Sequence, residues 1–318
     1  RVFKEVSEMG WKQVNLKRYI AEVKSNLKVN VSDEIIEKDL LLTFILAEFE
    51  KRGMGKELIF KGGTLLSRNY LKYHRFSEDL DFVHKNSNFI RELSRKEREK
   101  KIKQFIDYFI PELKKVADSL ELDFSTNRSD TKFYNIRSGR VVYTFKLHYS
   151  KTQYIKIEIN FVEKMFELPQ FISIKAITDF FDSKNLMRTL GLKLENFSVL
   201  SYSLNEIILE KYRAILTRKK FQERDLFDLF LIKNSLKANV DQIVEKIKTS
   251  SPIKKELNVL IKEKLKLLEE GKFFSSEEKI EQLAIQLYKE AEFEQFKEKI
   301  KPLLIDICEQ FLKSKGAP

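Results

Sequence analysis

Cysteine is nearly absent from this chain. The single thiol, Cys308, excludes an intramolecular disulfide and fits a reducing cytoplasm. Histidine is scarce as well: His74, His84 and His148, with that one cysteine, cannot assemble the usual zinc sites. No apolar run reaches the roughly eighteen residues that a membrane span needs. No internal repeat or low-complexity linker interrupts the 318 residues, which suffice for two domains with separate cores. Acidic residues are outnumbered, 48 against 60 Lys and Arg, leaving a formal charge of +12. That excess points to a polyanionic partner or to generic solubilising charge. An apolar content of 42% beside 34% charged residues suits a globular protein with well-charged helices.

The most informative stretch reads KGGTLLSRNYLKYHRFSEDLDF, residues 61–82. A short apolar strand, Leu58, Ile59 and Phe60, runs into Gly62, Gly63 and Thr64, and a helical segment follows to about Tyr73. Adjacent glycines let a phosphate approach backbone N–H groups, and the helix behind them adds its positive end. Gly62, Gly63 and Thr64 are therefore candidates for binding the β and γ phosphates of a nucleotide, with Lys61 and Arg68 as neighbouring cations. Arg75 either reaches a phosphate or pairs with Glu78. Asp79 and Asp81 then form Asp-x-Asp on a strand, where residues i and i+2 share a face and two carboxylates converge on one hard cation, Mg2+ being the best fit. A phosphate cradle beside paired carboxylates is the minimum equipment for metal-assisted nucleotidyl transfer from an NTP. Ser77 stands just before the pair. Phosphorylation there would place about two negative charges beside the metal ligands and block them, although serines at such positions more often cap or turn the chain.

Further along, residues 125–156 carry seven basic side chains (Arg128, Lys132, Arg137, Arg140, Lys146, Lys151, Lys156) against the single acid Asp130, with aromatics interleaved. Basic groups neutralise phosphates and exposed aromatics stack on bases, the pattern of a nucleic-acid surface. The alternation of Val141, Tyr143, Phe145, Leu147 and Tyr149 assigns much of that aromatic stripe to the core instead.

The overall pattern is α+β. Two helices are expected before residue 52, the second capped by Asp33, and a charged helix over 95–118 that Pro111 kinks or splits. Strands are expected near 80–83, 120–124, 131–137, 141–149 and 154–162, with Ser138-Gly139 as a hairpin turn. After Pro169 the pattern reads as helical to the end, with loop signals at 250–252 and 271–276. Lys211 and Arg218, seven residues apart on one helix, share a face that would present two charges to a triphosphate. Asp225 and Asp228 follow at i, i+3, with Arg224 placed to pair with Asp228; the bland reading of this segment is a salt-bridged helix surface.

The run FKGGTLLS…RFSEDLDF resembles the signature of the AbiEii/AbiGii-type nucleotidyltransferase toxins, members of the polymerase-β-like superfamily. Glu37-Lys38-Asp39 resembles an upstream family segment, and residues 204–229 resemble its later Lys-containing helix and Arg-Asp-x-x-Asp. The likeness spans about 35–230. A shift in composition divides the chain into an α/β domain on a small mixed sheet over residues 1–198 and a helical bundle over 199–318, and the likeness makes the first a nucleotidyltransferase domain. The likeness assigns Lys211 and Asp225 to functional motifs. It also implies a third carboxylate, metal ligand or base, on a neighbouring strand. Glu158 fits that place, although Asp is usual there, and its alternative is an exposed residue paired with Lys156 or Lys146. The activity implied is transfer of NMP to an RNA 3′ end, tRNA first, in toxin–antitoxin and phage-defence systems, with an antitoxin as partner. Nucleotidylation of a protein side chain and a non-catalytic NTP-binding regulator are the alternatives.

Overall fold

A computed structural model describes residues 15–27, 31–180, 197–235, 239–249, 254–275, 284 and 288–314. The loop signal at 250–252, Ser276 and the start of the first expected helix lie outside these residues. The chain forms two compact units, Arg1–Val162 with Pro169–Tyr202, and Glu163–Leu168 with Ser203–Pro318.

The first helix among the described residues is α1 (Leu16–Asn26), whose N-cap Asn15 accepts a hydrogen bond from the Arg18 amide. Helix α2 (Asp33–Lys51) is capped by Ser32; Asp33, expected as the cap, lies with Glu34 in the first turn, where acidic groups meet the positive helix end. This helix is buried almost all round: Leu42, Thr43, Leu46 and Glu48 are covered as well as the apolar face formed by Ile36, Leu40, Leu41, Phe44, Ile45 and Phe49. Strand β1 (Leu58–Lys61) leads into the short helix α3 (Gly62–Leu65), which continues as a π turn over Leu66–Tyr70, shorter than the expected helix. Lys72 and Tyr73 then adopt positive φ and end it. After β2 (Asp79–His84) come α4 (Ser87–Glu92) and α5 (Arg95–Ser119). A capping box between Ser94 and Glu97 starts α5, satisfying two donors reciprocally. Pro111 neither splits nor ends α5. Proline removes one backbone hydrogen bond, and burial of Phe109, Ile110 and Leu113 on either side offsets the loss.

Strands β3 (Tyr134–Arg137), β4 (Val142–His148), β5 (Tyr154–Asn160), β6 (Gln170–Ser173) and β7 (Ser198–Ser201) complete one mixed sheet of order β3-β4-β5-β2-β1-β7-β6. The pairs β2–β5 and β1–β7 are parallel, the rest antiparallel. Two expectations fail here. Residues 120–124 make only an isolated bridge, Asp123 to His148, instead of a strand. The region after Pro169 also begins with strands, not helices. At four residues each, β6 and β7 are too short for alternation to identify them, and β7 is fixed by pairing with β1, where the Tyr202 amide donates to the Phe60 carbonyl at 2.9 Å. One face of the sheet is core. Phe82 and Phe145 meet Phe49 and Phe109, with ring centroids of Phe49 and Phe82 at 5.8 Å and of Phe109 and Phe145 at 5.2 Å.

Under this layer His84 lies between Phe105 (5.0 Å) and Phe161 (5.5 Å). Burial pushes its imidazole down to about 4, with Glu57 pulling it up and Lys85 down. In the unfolded chain the ring protonates below about 6.5, while in the fold it stays neutral to about 4, so stability falls as pH drops through that window. Wild-type protein is expected to lose on the order of 2–3 kcal/mol more than His84→Gln between pH 7 and pH 4. Urea unfolding of both proteins across that range checks this, and parallel curves refute it.

The second unit contains α6 (Leu204–Thr217), α7 (Glu223–Leu231), α8 (Val240–Lys248), α9 (Lys254–Glu269) and α10 (Glu290–Lys313). Phe227 and Phe230 of α7 pack against Phe293 of α10 at 5.4 and 5.3 Å. A buried charge cluster ties Glu163–Leu168 to these helices. Glu206 accepts from the amides of Phe166 (3.0 Å) and Glu167 (2.9 Å), and Lys246 bonds both Glu206 and the Lys164 carbonyl. Burying that ammonium and carboxylate is tolerable only because each is so fully partnered.

Candidate active site

Strand register assembles the site. At one level across the sheet lie Lys61 (β1), Asp81 (β2), Glu158 (β5) and Thr144 (β4). At the adjacent level of the same face lie Asp79, Lys156 and Lys146. Because strands alternate with period two, Leu80, Phe82, Ile157 and Ile159 turn to the buried face while these polar groups stand together. The three expected carboxylates Asp79, Asp81 and Glu158 are thus brought onto adjoining strands.

The glycine turn is built directly against them. Gly62 has φ +82°, and a Cβ there would lie 2.4 Å from Oδ2 of Asp81. A Cβ on Gly63 would lie 2.8 Å from Nη2 of Arg75 and 2.9 Å from Oγ of Ser77. Gly62 is therefore required by both its backbone and the approach of the acidic strand, while a side chain at Gly63 would have to displace the ends of Arg75 and Ser77. The Thr64 hydroxyl, expected on a phosphate, donates to the Asp79 carbonyl and ties the turn to β2. Lys61 stands beside Asp81 with its ammonium 5.9 Å from the Tyr202 ring centre.

Counter-charges hold the carboxylates. Lys156 Nζ is 2.6 Å from Asp79 Oδ2, and Arg137 on β3 pairs with Glu158. Asp81 is pushed up to about 6 by burial, then by Glu158 and, after the opposing pull of Lys156, by Asp79, with Lys61 also lowering it. Burial pulls the Lys156 ammonium down, but Asp79, Asp81 and Glu158 outweigh that and raise it. The sequence offers Lys156 as a partner of Glu158; the structure pairs Lys156 with Asp79 and Arg137 with Glu158. Lys156 carried the signal of alternating with Glu158 on one face, whereas the Arg137–Glu158 pair depends on how β3, β4 and β5 align.

Two nucleotide-binding expectations change. Arg68 is 1% exposed and is spent inside the unit: it donates to Asp39 Oδ1 (2.7 Å), the Asp39 carbonyl (2.7 Å) and Thr43 Oγ1 (2.8 Å). It braces α2 against the turn's helix and does not face a phosphate from that position. Arg75 is also buried; its Nη1 donates to the Phe76 carbonyl at 2.7 Å, while Glu78 pairs with Lys38 at 2.6 Å.

In the helical unit, Lys211 is buried between Asp225 (2.8 Å) and Asp228 (2.5 Å), and Arg218 reaches the other Asp225 oxygen at 3.0 Å. The aspartates are 2% and 0% exposed. Asp228 thus holds Lys211, a partner beyond the Arg224 expected from spacing. Removing one side of such a buried pair leaves an uncompensated charge. Lys211→Ala is expected to cost about 3–5 kcal/mol of stability, read by urea unfolding alongside NTP turnover. Full stability in this variant would remove the structural role, and full turnover the catalytic one.

Among the described residues no three His, Cys, Asp or Glu side chains stand close enough to hold a metal ion as arranged. Asp79 and Glu158 are each drawn to a cation instead. The donor set nevertheless fits magnesium: every group is a hard oxygen donor, and that ion asks for only one or two carboxylates beside substrate oxygens and water. Among the described residues no helix is long and apolar enough to cross a membrane.

A model of the nucleotidyl transferase AbiEii toxin family, type IV toxin–antitoxin system, matches residues 45–313. Among solved structures the chain is similar to MenT4, a nucleotidyltransferase toxin from Mycobacterium tuberculosis H37Rv. Identity is 12% and the TM-score 0.47, over 92% of this chain and 88% of that one. No curated protein matches at a significant level.

Proposed function

The chain belongs to the AbiEii nucleotidyltransferase toxins of type IV toxin–antitoxin systems, and we propose that it transfers NMP from an NTP to the 3′ end of an RNA, with tRNA as the acceptor. Its family implies an NTP substrate and an antitoxin partner. The observation that carries the catalytic reading is the packing of Gly62 on Asp81: the phosphate-binding turn and the acidic strand share one end of the sheet.

In this reading Asp79 and Asp81, with Glu158 as third carboxylate, hold Mg2+, which supplies neutralising charge for the triphosphate and lowers the pKa of the attacking hydroxyl. Backbone amides of the Gly62–Gly63 turn bind phosphate oxygens, and Lys61 and Arg75 add positive charge beside it. Glu158 is placed to accept the proton of the attacking hydroxyl. Lys211 and Asp225 are proposed participants on the strength of their match to the family's later motifs.

The acceptor is tested by incubating the protein with Mg2+, total RNA and each labelled NTP in turn, with the same NTPs and total protein in parallel. Label entering RNA supports the proposal. Label entering only protein favours side-chain nucleotidylation, a reading helped by one observation: Arg128 and Lys132 of the basic tract already pair with Asp107 (2.5 Å) and Asp123 (2.6 Å). Nucleotide binding with no transfer to either would leave a regulator.

A further inference from the structure

The three carboxylates of the sheet face stand among the cations Lys61, Lys146, Lys156 and Arg137, of which Lys156 contacts Asp79 and Arg137 contacts Glu158. Lys156 is tethered on the same strand as Glu158, two residues away, and lies opposite Asp79 in register. Arg137 lies at the edge of the sheet, half exposed, and its Nη2 is also within 3.5 Å of Thr144 Oγ1. Lys156 and Arg137 are 32% and 50% exposed, against 1% for Arg68.

We propose that Lys156 and Arg137 make metal binding and nucleotide binding depend on each other: each holds a carboxylate while no metal is bound and turns to the triphosphate once that carboxylate takes the metal. The inference rests on the proposed metal- and NTP-binding reading of this site. Charge pairing gives the reason. A divalent ion arriving alone must strip Lys156 from Asp79 and Arg137 from Glu158, leaving two cations beside it without new anions. A triphosphate arriving alone meets three carboxylates. Arriving together, metal pairs with carboxylates and phosphates pair with the released ammonium and guanidinium, so every charge keeps a partner. Coupling of this kind is reciprocal: whatever factor the nucleotide adds to metal affinity, the metal adds to nucleotide affinity.

The test uses Mn2+ and a non-hydrolysable α,β-methylene NTP with the full chain. Free Mn2+ is followed by electron paramagnetic resonance, and a protein-free titration subtracts the Mn2+–nucleotide complex. Wild-type protein is expected to bind Mn2+ weakly alone and at least about tenfold more tightly with the analogue. In Lys156→Met combined with Arg137→Met, Mn2+ alone should bind at least about tenfold more tightly than to wild type, with the coupling factor falling toward one. Lys156→Arg should keep the coupling. If the double variant does not fold, Arg137→Gln alone carries the test and must still raise Mn2+ affinity without nucleotide. Unchanged Mn2+ affinity in these variants, or equal wild-type affinity with and without the analogue, overturns the proposal. Such results would leave the transfer reaction standing if labelled NMP still reaches an acceptor. Absence of any transfer by wild type would sink the functional reading whatever the coupling.

Discussion

Asp79→Ala and Asp81→Ala should each lower the rate of nucleotidyl transfer at least about a hundredfold, the size of loss expected when one preorganised electrostatic contact to the reacting centre is removed. Stability should not follow. Asp81 stands beside Glu158 and Asp79, and burial and repulsion together push its carboxyl up to about 6. Its removal relieves strain in the resting protein, so the urea midpoint of Asp81→Ala should be equal to or above that of wild type. Asp79→Ala differs in one respect, since it leaves Lys156 without its 2.6 Å partner, and a small loss of stability is expected there. The measurements are single-turnover rates and urea midpoints on the same preparations. Normal turnover in both variants would end the metal-assisted mechanism; an activity loss that merely tracks unfolding would also refute it.

Gly62→Ala should abolish transfer without removing any functional side chain. A methyl group at this position meets the Asp81 carboxylate at 2.4 Å while the backbone holds φ +82°. The conformational part of the penalty is about 1–2 kcal/mol; the steric part must displace Asp81 or the turn. Gly271→Ala separates the two contributions. Its φ is +71° and a Cβ there has nothing within 4 Å, so it should show the conformational cost alone and retain activity. Equal activity of Gly62→Ala and wild type would mean that the turn tolerates displacement and does not set the position of the acidic strand.

How far the sequence reveals this arrangement depends on the range of the interaction concerned. The turn and the acidic strand were legible because strand, Gly-Gly-Thr and Asp-x-Asp follow one another within about two dozen residues, and local spacing determines both turn geometry and which side chains share a face. Glu158 was legible as a polar residue on an alternating strand. Its position directly across from Asp81 depends on parallel pairing between strands separated by α4, α5 and the β3–β4 hairpin, and a one-residue slip would have turned it to the core. Arg68 shows the opposite failure. A cation six residues after Gly62 suggests a phosphate ligand, but the π turn and the buried Asp39 turn it inward. The charge of residues 125–156 likewise overstates the free positive surface, because Arg128, Lys132, Arg137 and Lys156 have acidic partners, Asp107, Asp123, Glu158 and Asp79, all of them outside the tract.

The six residues Glu163–Leu168 bear on how this protein can be taken apart. A cut at 199, where composition shifts to helix, would produce a C-terminal fragment lacking the amides of Phe166 and Glu167 that Glu206 binds and the Lys164 carbonyl and Glu163 that Lys246 binds. The fragment would retain the buried pair Lys246 and Glu206 without the partners that this segment supplies. The sheet-bearing fragment would in turn carry a six-residue excursion with nothing to receive it, placed between strands β5 and β6. Dissection at a single peptide bond therefore damages the helical half even though every one of its helices is intact. Splicing the Glu163–Leu168 segment ahead of Ser203 through a short linker is the route to an autonomous C-terminal module.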